Sequence, residues 1–123
     1  MEEQAIVIDQ KELGIIVIVG CSHPTLEVMV EKAKITTGNN KVRGIIGGFH
    51  LADKTEDEII ESANKFKSFG IEFMAPGHCT TVGGCQILEK TLGSEIVRLS
   101  KTGTFATGNN IEINGSEILF NFV

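Results

Sequence analysis

The sequence lacks the patterns that mark secreted, membrane-spanning and disulfide-stabilised proteins. Its three cysteines are an odd number without a CxxC pair, which argues against a disulfide framework and for a reducing compartment. No run approaches the ~20 apolar residues needed to cross a bilayer. The acidic start MEEQAIVID also differs from a secretory signal, which is basic and then apolar. We therefore expect a cytoplasmic protein that does not enter a membrane.

Basic residues are too few for a nucleic-acid-binding surface. Sixteen acidic residues against eleven basic ones give a net charge of −5, whereas phosphate neutralisation needs a surplus of Lys and Arg. The GxGxxG and Walker phosphate-binding motifs are absent, and so is the GxSxG elbow of serine hydrolases. We expect no nucleic-acid partner.

What the sequence does contain is an alternation of apolar and amphipathic segments, in 123 residues that we interpret as one domain, 1–123. The segments AIVID, GIIVIVG, KVRGIIGG and IEFMA predict strands, and the β-branched run from Ile15 to Val19 predicts a central strand covered on both faces. Segments 23–38, 54–70 and 83–93 predict amphipathic helices, each ending at a glycine. The order β-α-β-α-β-α predicts an α/β fold with a parallel sheet.

The last part of the chain has a different pattern. The segments EIVRL, TFATG, IEING and SEILFNFV alternate in polarity and are separated by Gly-Asn and Asn-Gly signals. We interpret them as antiparallel strands, with a hairpin turn at Asn114-Gly115.

The three histidines all follow predicted strands, in GCSHP, GGFHL and PGHCT. His23, His50 and His78 are spaced by 27 and 28 residues, the period of the β-α unit itself. Because the carboxyl ends of parallel strands share one edge, we expect the three imidazoles to converge there, where open α/β sheets bind ligands. Imidazole suits that place as a metal ligand or as an acid/base group near neutral pH.

Each of these residues also has a purely structural interpretation. A histidine in such a loop can be a surface residue or a helix cap, and this applies most to His50. Cys21 and Cys79 flank the same edge, where a thiolate could bind zinc or the side chain could simply be a small buried apolar group. A zinc site built from Cys21, His23, His78 and Cys79 is chemically possible, although adjacent ligands rarely point at one ion.

At these residues the sequence resembles a known family. The segments VIVGCSHPTLEVMVEKAK, VRGIIGGFHLAD and GIEFMAPGHCT resemble the metallo-β-lactamase superfamily, over about residues 5 to 113. Within it, they are similar to the branch of metal-dependent hydrolases and dihydropterin–(ribofuranosyl)aminobenzene phosphate synthases. The superfamily fold is an αββα sandwich, and the resemblance implies that this chain corresponds to its C-terminal half, a parallel β-α unit followed by antiparallel strands.

The resemblance assigns roles to four residues. His78 matches the superfamily's final metal-binding histidine. GCSH lies where many members have a metal-bridging aspartate, so that either Cys21 or His23 could be the ligand, and we favour His23. His50 matches a loop near the substrate and would orient substrate or exchange protons. The implied cofactor is a divalent metal, with zinc favoured over manganese or iron.

The largest departure from the superfamily concerns the first metal site. The HxHxDH motif, which supplies most ligands of the first metal site, is absent. A half-sandwich would also expose an apolar sheet face, so we expect self-association or a partner chain that carries HxHxDH. The remaining alternative is that this sequence is a fragment of a longer gene product. The implied substrate is a small phosphorylated, pterin-type molecule, and the synthase-like reaction would join a pterin methyl group to an aminobenzene ring with loss of diphosphate. The alternative is a non-catalytic binding or assembly module that kept the fold and lost half the site.

Overall fold

The computed structural model describes residues 5–20, 26–49, 54–77, 80, 82–99 and 110–121. A short 3-10 turn, Lys11–Leu13, joins the first two strands. The helices and strands of the described residues are, in chain order, β1 (Ala5–Asp9), β2 (Ile15–Val19), α1 (Leu26–Thr37), β3 (Val42–Gly47), α2 (Glu56–Ser68), β4 (Phe73–Pro76), α3 (Val82–Leu92), β5 (Asn110–Asn114) and β6 (Glu117–Asn121).

Strands β1 to β4 form one sheet in chain order. β1 pairs with β2 in antiparallel fashion, whereas β2, β3 and β4 are parallel, as the alternation of strands and helices predicts. β2 lies inside the sheet. Its first three residues, Ile15, Ile16 and Val17, are fully buried, so the predicted covering of both faces holds at the start of the strand, whereas Ile18 is only half-buried. Among the described residues, no helix is both long enough and apolar enough to cross a bilayer.

The helices cover one face of this sheet with the residues that their periodicity predicts. Both α1 and α2 contribute one apolar stripe to a continuous core, which also includes Val17, Ile45 and Met74 of the sheet. The helical stripe residues are Leu26, Met29, Val30, Ala33, Ile59, Ala63 and Phe66.

The start of α2 confirms a capping box. The Thr55 hydroxyl accepts a hydrogen bond from the Glu58 N–H at 3.2 Å, and the Glu58 carboxylate accepts one from the Thr55 N–H at 3.0 Å. The acidic residues Glu56, Asp57 and Glu58 therefore occupy the first turn of the helix, where they complement its dipole.

Segment 95–99 is not the antiparallel strand that its alternation predicts. Val97 forms a single parallel bridge to Met74 of β4, supported by hydrogen bonds from the Met74 N–H to the Ile96 carbonyl and from the Arg98 N–H to the Met74 carbonyl. The reason is topological. After α3 the chain returns to the sheet by another crossover of the kind that makes β2, β3 and β4 parallel, so it arrives in the same direction.

The C-terminal hairpin is confirmed, with its turn one residue later than predicted. Asn114 pairs with Glu117, so the two turn residues are Gly115 and Ser116. Gly115 has a φ of 59°, the positive value that a type II′ turn requires at its first central residue. The predicted strand TFATG lies outside the described residues.

A buried arginine that the sequence reading did not single out attaches this hairpin to the sheet. Arg43 of β3 is 4% exposed. Its guanidinium donates hydrogen bonds to the carbonyls of Gly115 and Ser116, to the Gln10 side chain at 2.6 Å and to the Glu72 carboxylate at 3.2 Å. The N–H groups of its planar guanidinium thereby connect the β1–β2 turn, the start of β4 and the hairpin turn.

Candidate functional site

The candidate site is the edge of the sheet where β2, β3 and β4 end. Backbone hydrogen bonds connect the three strand ends directly. The Gly48 N–H donates to the Gly20 carbonyl at 2.6 Å, and the Gly77 N–H donates to the Gly47 carbonyl at 2.5 Å. The loops that follow the three strands therefore leave the sheet side by side.

The residues predicted for this site lie outside the described residues. This applies to Cys21, His23, His50, His78 and also Cys79. In the sequence, Cys21 directly follows Gly20, His50 directly follows Phe49, and His78 directly follows Gly77. The convergence of the three histidines stays a prediction, while the convergence of the three strand ends that precede them is observed.

Glycine permits the close approach of β2 and β3 at this edge. Gly47 has a φ of 132°, and a Cβ built on it would lie 2.0 Å from the Val19 carbonyl oxygen. No side chain fits at that distance. The edge is thus a place where two backbones meet without an intervening side chain.

Thr80 is a site-edge residue that the sequence reading missed. It is fully buried, and its hydroxyl oxygen accepts a hydrogen bond from the Phe49 N–H at 3.1 Å. Its own N–H donates to the Gly77 carbonyl at 3.1 Å. The available signal was a hydroxyl residue two positions after His78 and just before α3, where such residues commonly bond to backbone groups.

Within the part of the chain that the structure describes, no three His, Cys, Asp or Glu side chains are grouped closely enough to hold a metal ion. Cys85 of α3 is buried, as the sequence predicts for a core residue. Burial, and secondarily the charge of Glu89, raises the pKa of its thiol to about 11, so that it stays protonated at neutral pH. It is therefore a poor metal ligand.

A cavity of about 310 Å³ lies between the start of α1 and one side of α2. It is lined by Glu27, Lys54, Glu58, Glu61, Ser62 and Lys65. Its lining contains both carboxylates and ammonium groups, so its charge favours no single class of ligand.

The proteins that resemble this chain include a curated synthase and a solved hydrolase structure. The 7,8-dihydropterin-6-methyl-4-(β-D-ribofuranosyl)-aminobenzene-5′-phosphate synthase of Methanocaldococcus jannaschii is 42% identical over 69 residues, which are 56% of this chain and 24% of that protein. The crystal structure of Tm1679, a metal-dependent hydrolase of the β-lactamase superfamily, aligns with a TM-score of 0.67 and 29% identity, over 76% of this chain and 36% of that one. No protein-family model matches the chain.

These comparisons confirm the predicted resemblance and the fold class. The mixed α/β sheet with its helices is the fold of a metallo-β-lactamase superfamily hydrolase over most of the chain, and the curated relative is the predicted kind of synthase. The matched regions span about a quarter of the synthase and about a third of the hydrolase.

Proposed function

We propose that this chain, which resembles the metallo-β-lactamase superfamily in both sequence and fold, contributes ligands to a metal-dependent, hydrolase-like site. The observation that carries the proposal is the hydrogen bonding of the three strand ends to one another, at Gly20–Gly48, Gly47–Gly77 and Phe49–Thr80. Each of these strand ends is followed within three residues by a histidine. Loops that leave adjacent strands side by side can direct their side chains at one point above the edge.

The donor set fits a divalent metal of the zinc type. His23 and His78 would be the ligands, with Cys21 as the alternative to His23, and imidazole and thiolate are the ligands that zinc prefers. When bound, the metal would polarise a substrate oxygen or lower the pKa of a bound water to about 7. His50 would orient the substrate and exchange a proton with it.

The proposed substrate is a small phosphorylated molecule of the pterin type. Support comes from the name of the curated relative, which contains a dihydropterin, an aminobenzene and a phosphate. The helix N-termini that follow β3 and β4 in the chain would assist, because N-terminal backbone N–H groups stabilise phosphate oxygens.

Metal analysis of variants tests the proposed ligands. We expect the purified chain to bind a divalent metal and His78→Ala to bind it at least about tenfold more weakly, since even residues behind the ligands typically account for 10- to 100-fold in affinity. His50→Ala is the matched control and should keep the metal. Two further variants, His23→Ala and Cys21→Ala, decide between the alternative ligands. Only the variant that lacks the true ligand should bind the metal more weakly.

A second function is favoured by one feature of the sequence. The absence of HxHxDH from the sequence favours a non-catalytic binding or assembly module as the second candidate. In that case neither the unmodified chain nor any of the four variants would bind metal, and the histidines would be structural.

We also propose that a second β-sheet covers the sheet face opposite the helices. Ile6, Ile18 and Ile46 are aligned in one row across β1, β2 and β3. Val17 and Ile45, their neighbours along the strands, face the helices, so this row faces away from them. Ile6 is 65% exposed, and the other two are half-buried. In the resembled sandwich, the covering sheet is the one that carries HxHxDH.

Sedimentation velocity tests this covered face. When the chain is alone, we expect a second copy to take the place of the missing sheet, giving a dimer. Ile18→Lys should dissociate it, because it places a charge within the row. Ile35→Lys changes an isoleucine of α1 that is 79% exposed, and it should leave the dimer intact. A stable monomer that binds no hydrophobic dye would rule out an uncovered apolar face.

A further inference from the structure

We infer that Thr80 is a positioning residue for the proposed metal site, because it connects the end of β3, which precedes His50 in the chain, to the end of β4, which precedes His78. The inference rests on the proposed function. It concerns a residue that neither the histidine pattern nor the comparisons assign.

Thr80 contacts the immediate chain neighbours of both histidines. Its hydroxyl oxygen accepts the N–H of Phe49, the residue before His50, and its backbone N–H donates to Gly77, the residue before His78. One residue thus connects the two described positions, Phe49 and Gly77, that directly precede the histidines in the chain.

The loop after β3 is held from both sides. Gly48 donates its N–H to Gly20 in the loop after β2, and Phe49 donates its N–H to Thr80 in the segment before α3. The first of these bonds joins two backbones, so an ordinary change of side chain does not remove it. The second uses a side chain, which makes Thr80 the position where the geometry of the edge can be tested.

Burial makes this contact rigid. Thr80 is 0% exposed and Phe49 is 3% exposed, so water does not compete for the hydrogen bond. Because threonine is branched at Cβ, its χ1 angle is restricted and the hydroxyl oxygen keeps one position. A merely space-filling role at a fully buried site would be served equally well by valine, which has the same shape and no polar atom.

The test is a Zn²⁺ titration against a chromophoric chelator, with a threonine series. We expect Thr80→Val to lower the Zn²⁺ affinity about 10- to 100-fold, the range typical of residues that orient metal ligands. Thr80→Ser keeps the acceptor oxygen and should restore affinity to within about threefold of the unmodified chain. Thr91→Val makes the same change on α3, where the hydroxyl donates to the Ile87 carbonyl at 2.8 Å, and should leave the affinity unchanged.

Amide hydrogen exchange of the same proteins supplies a readout that does not depend on metal. The Phe49 amide should exchange faster in Thr80→Val and remain protected in Thr80→Ser. If Thr80→Val does not fold, Thr80→Ala replaces it in the comparison with Thr80→Ser. Both variants are then measured on the folded fraction of the protein.

The outcomes separate this inference from the proposed function. If the unmodified chain binds no Zn²⁺, the proposed function fails, and the inference fails with it. If the unmodified chain binds Zn²⁺ and Thr80→Val binds it equally well, only the role of Thr80 is overturned. Equal loss of affinity in the valine and serine variants would also contradict it, because that result would indicate general packing rather than the hydroxyl.

Discussion

Gly47→Ala is expected to destabilise the fold by roughly 3 kcal/mol or more, which is at the severe end for a single added methyl group. The Cβ would lie 2.0 Å from the Val19 carbonyl oxygen and 2.9 Å from the Val19 Cγ2. The φ of 132° is in addition one that alanine rarely adopts. Because β2 and β3 pair at this point, the two strand ends would have to separate. Urea unfolding followed by circular dichroism measures the loss.

Gly83→Ala is the matched control for this prediction. Gly83 lies in α3, and a Cβ there would meet no atom within 4 Å. Alanine is favoured over glycine inside a helix, so this variant should be as stable as the unmodified chain or more stable by up to about 1 kcal/mol. Equal stability of the two variants would contradict the close approach of β2 and β3, and with it the edge on which the proposed site depends.

Arg43→Met is expected to lower the free energy of unfolding by about 2–4 kcal/mol and to release the C-terminal hairpin. Methionine keeps most of the aliphatic volume but removes four hydrogen bonds, and bonds to charged groups typically contribute about 1.5–3 kcal/mol each. The loss is smaller than their sum because Gly115, Ser116 and the Glu72 side chain are exposed and regain water.

Hydrogen exchange distinguishes release of the hairpin from general unfolding. In Arg43→Met the amides of β5 and β6 should lose protection, while those of β2 and β3 keep it. Glu72→Gln is the control, since it removes the ion pair and leaves the bonds to the hairpin turn. Because Glu72 is 54% exposed, we expect this change to cost at most about 1 kcal/mol. Uniform loss of protection across both sheets would contradict the anchoring role of Arg43.

Local patterns predicted the helices and most of the strands correctly, because the forces involved act between near neighbours. The capping box of Thr55 and Glu58 needs only a spacing of three residues, and the apolar stripe of α2 needs only the helical period. The turn was predicted one residue too early, because Asn114 and Gly115 both favour turns. Only the pairing register of the two strands decides which residues form the turn.

Contacts between distant segments were missed for the opposite reason. In the sequence, Arg43 has no feature that distinguishes it from other charged residues in strands. Its role as an anchor depends on a hairpin turn 72 residues later in the chain. Thr80 bonds to Phe49, 31 residues before it. The alternating polarity of 95–99 wrongly predicted an antiparallel strand. The direction of that segment follows from the crossover after α3 and not from its own polarity.

The sequence by itself determined the order of the strands and helices, the resemblance to metallo-β-lactamase proteins and the positions of the three histidines along the chain. The order of elements follows from local polarity and period, and the resemblance follows from the motifs themselves. Only the tertiary structure decided that the ends of β2, β3 and β4 are bonded into one edge, that a glycine with positive φ allows this approach, and that Thr80 and Arg43 connect segments far apart in the chain. The physical reason is that a buried hydrogen bond depends on where the fold places its donor and its acceptor, which a linear pattern does not specify.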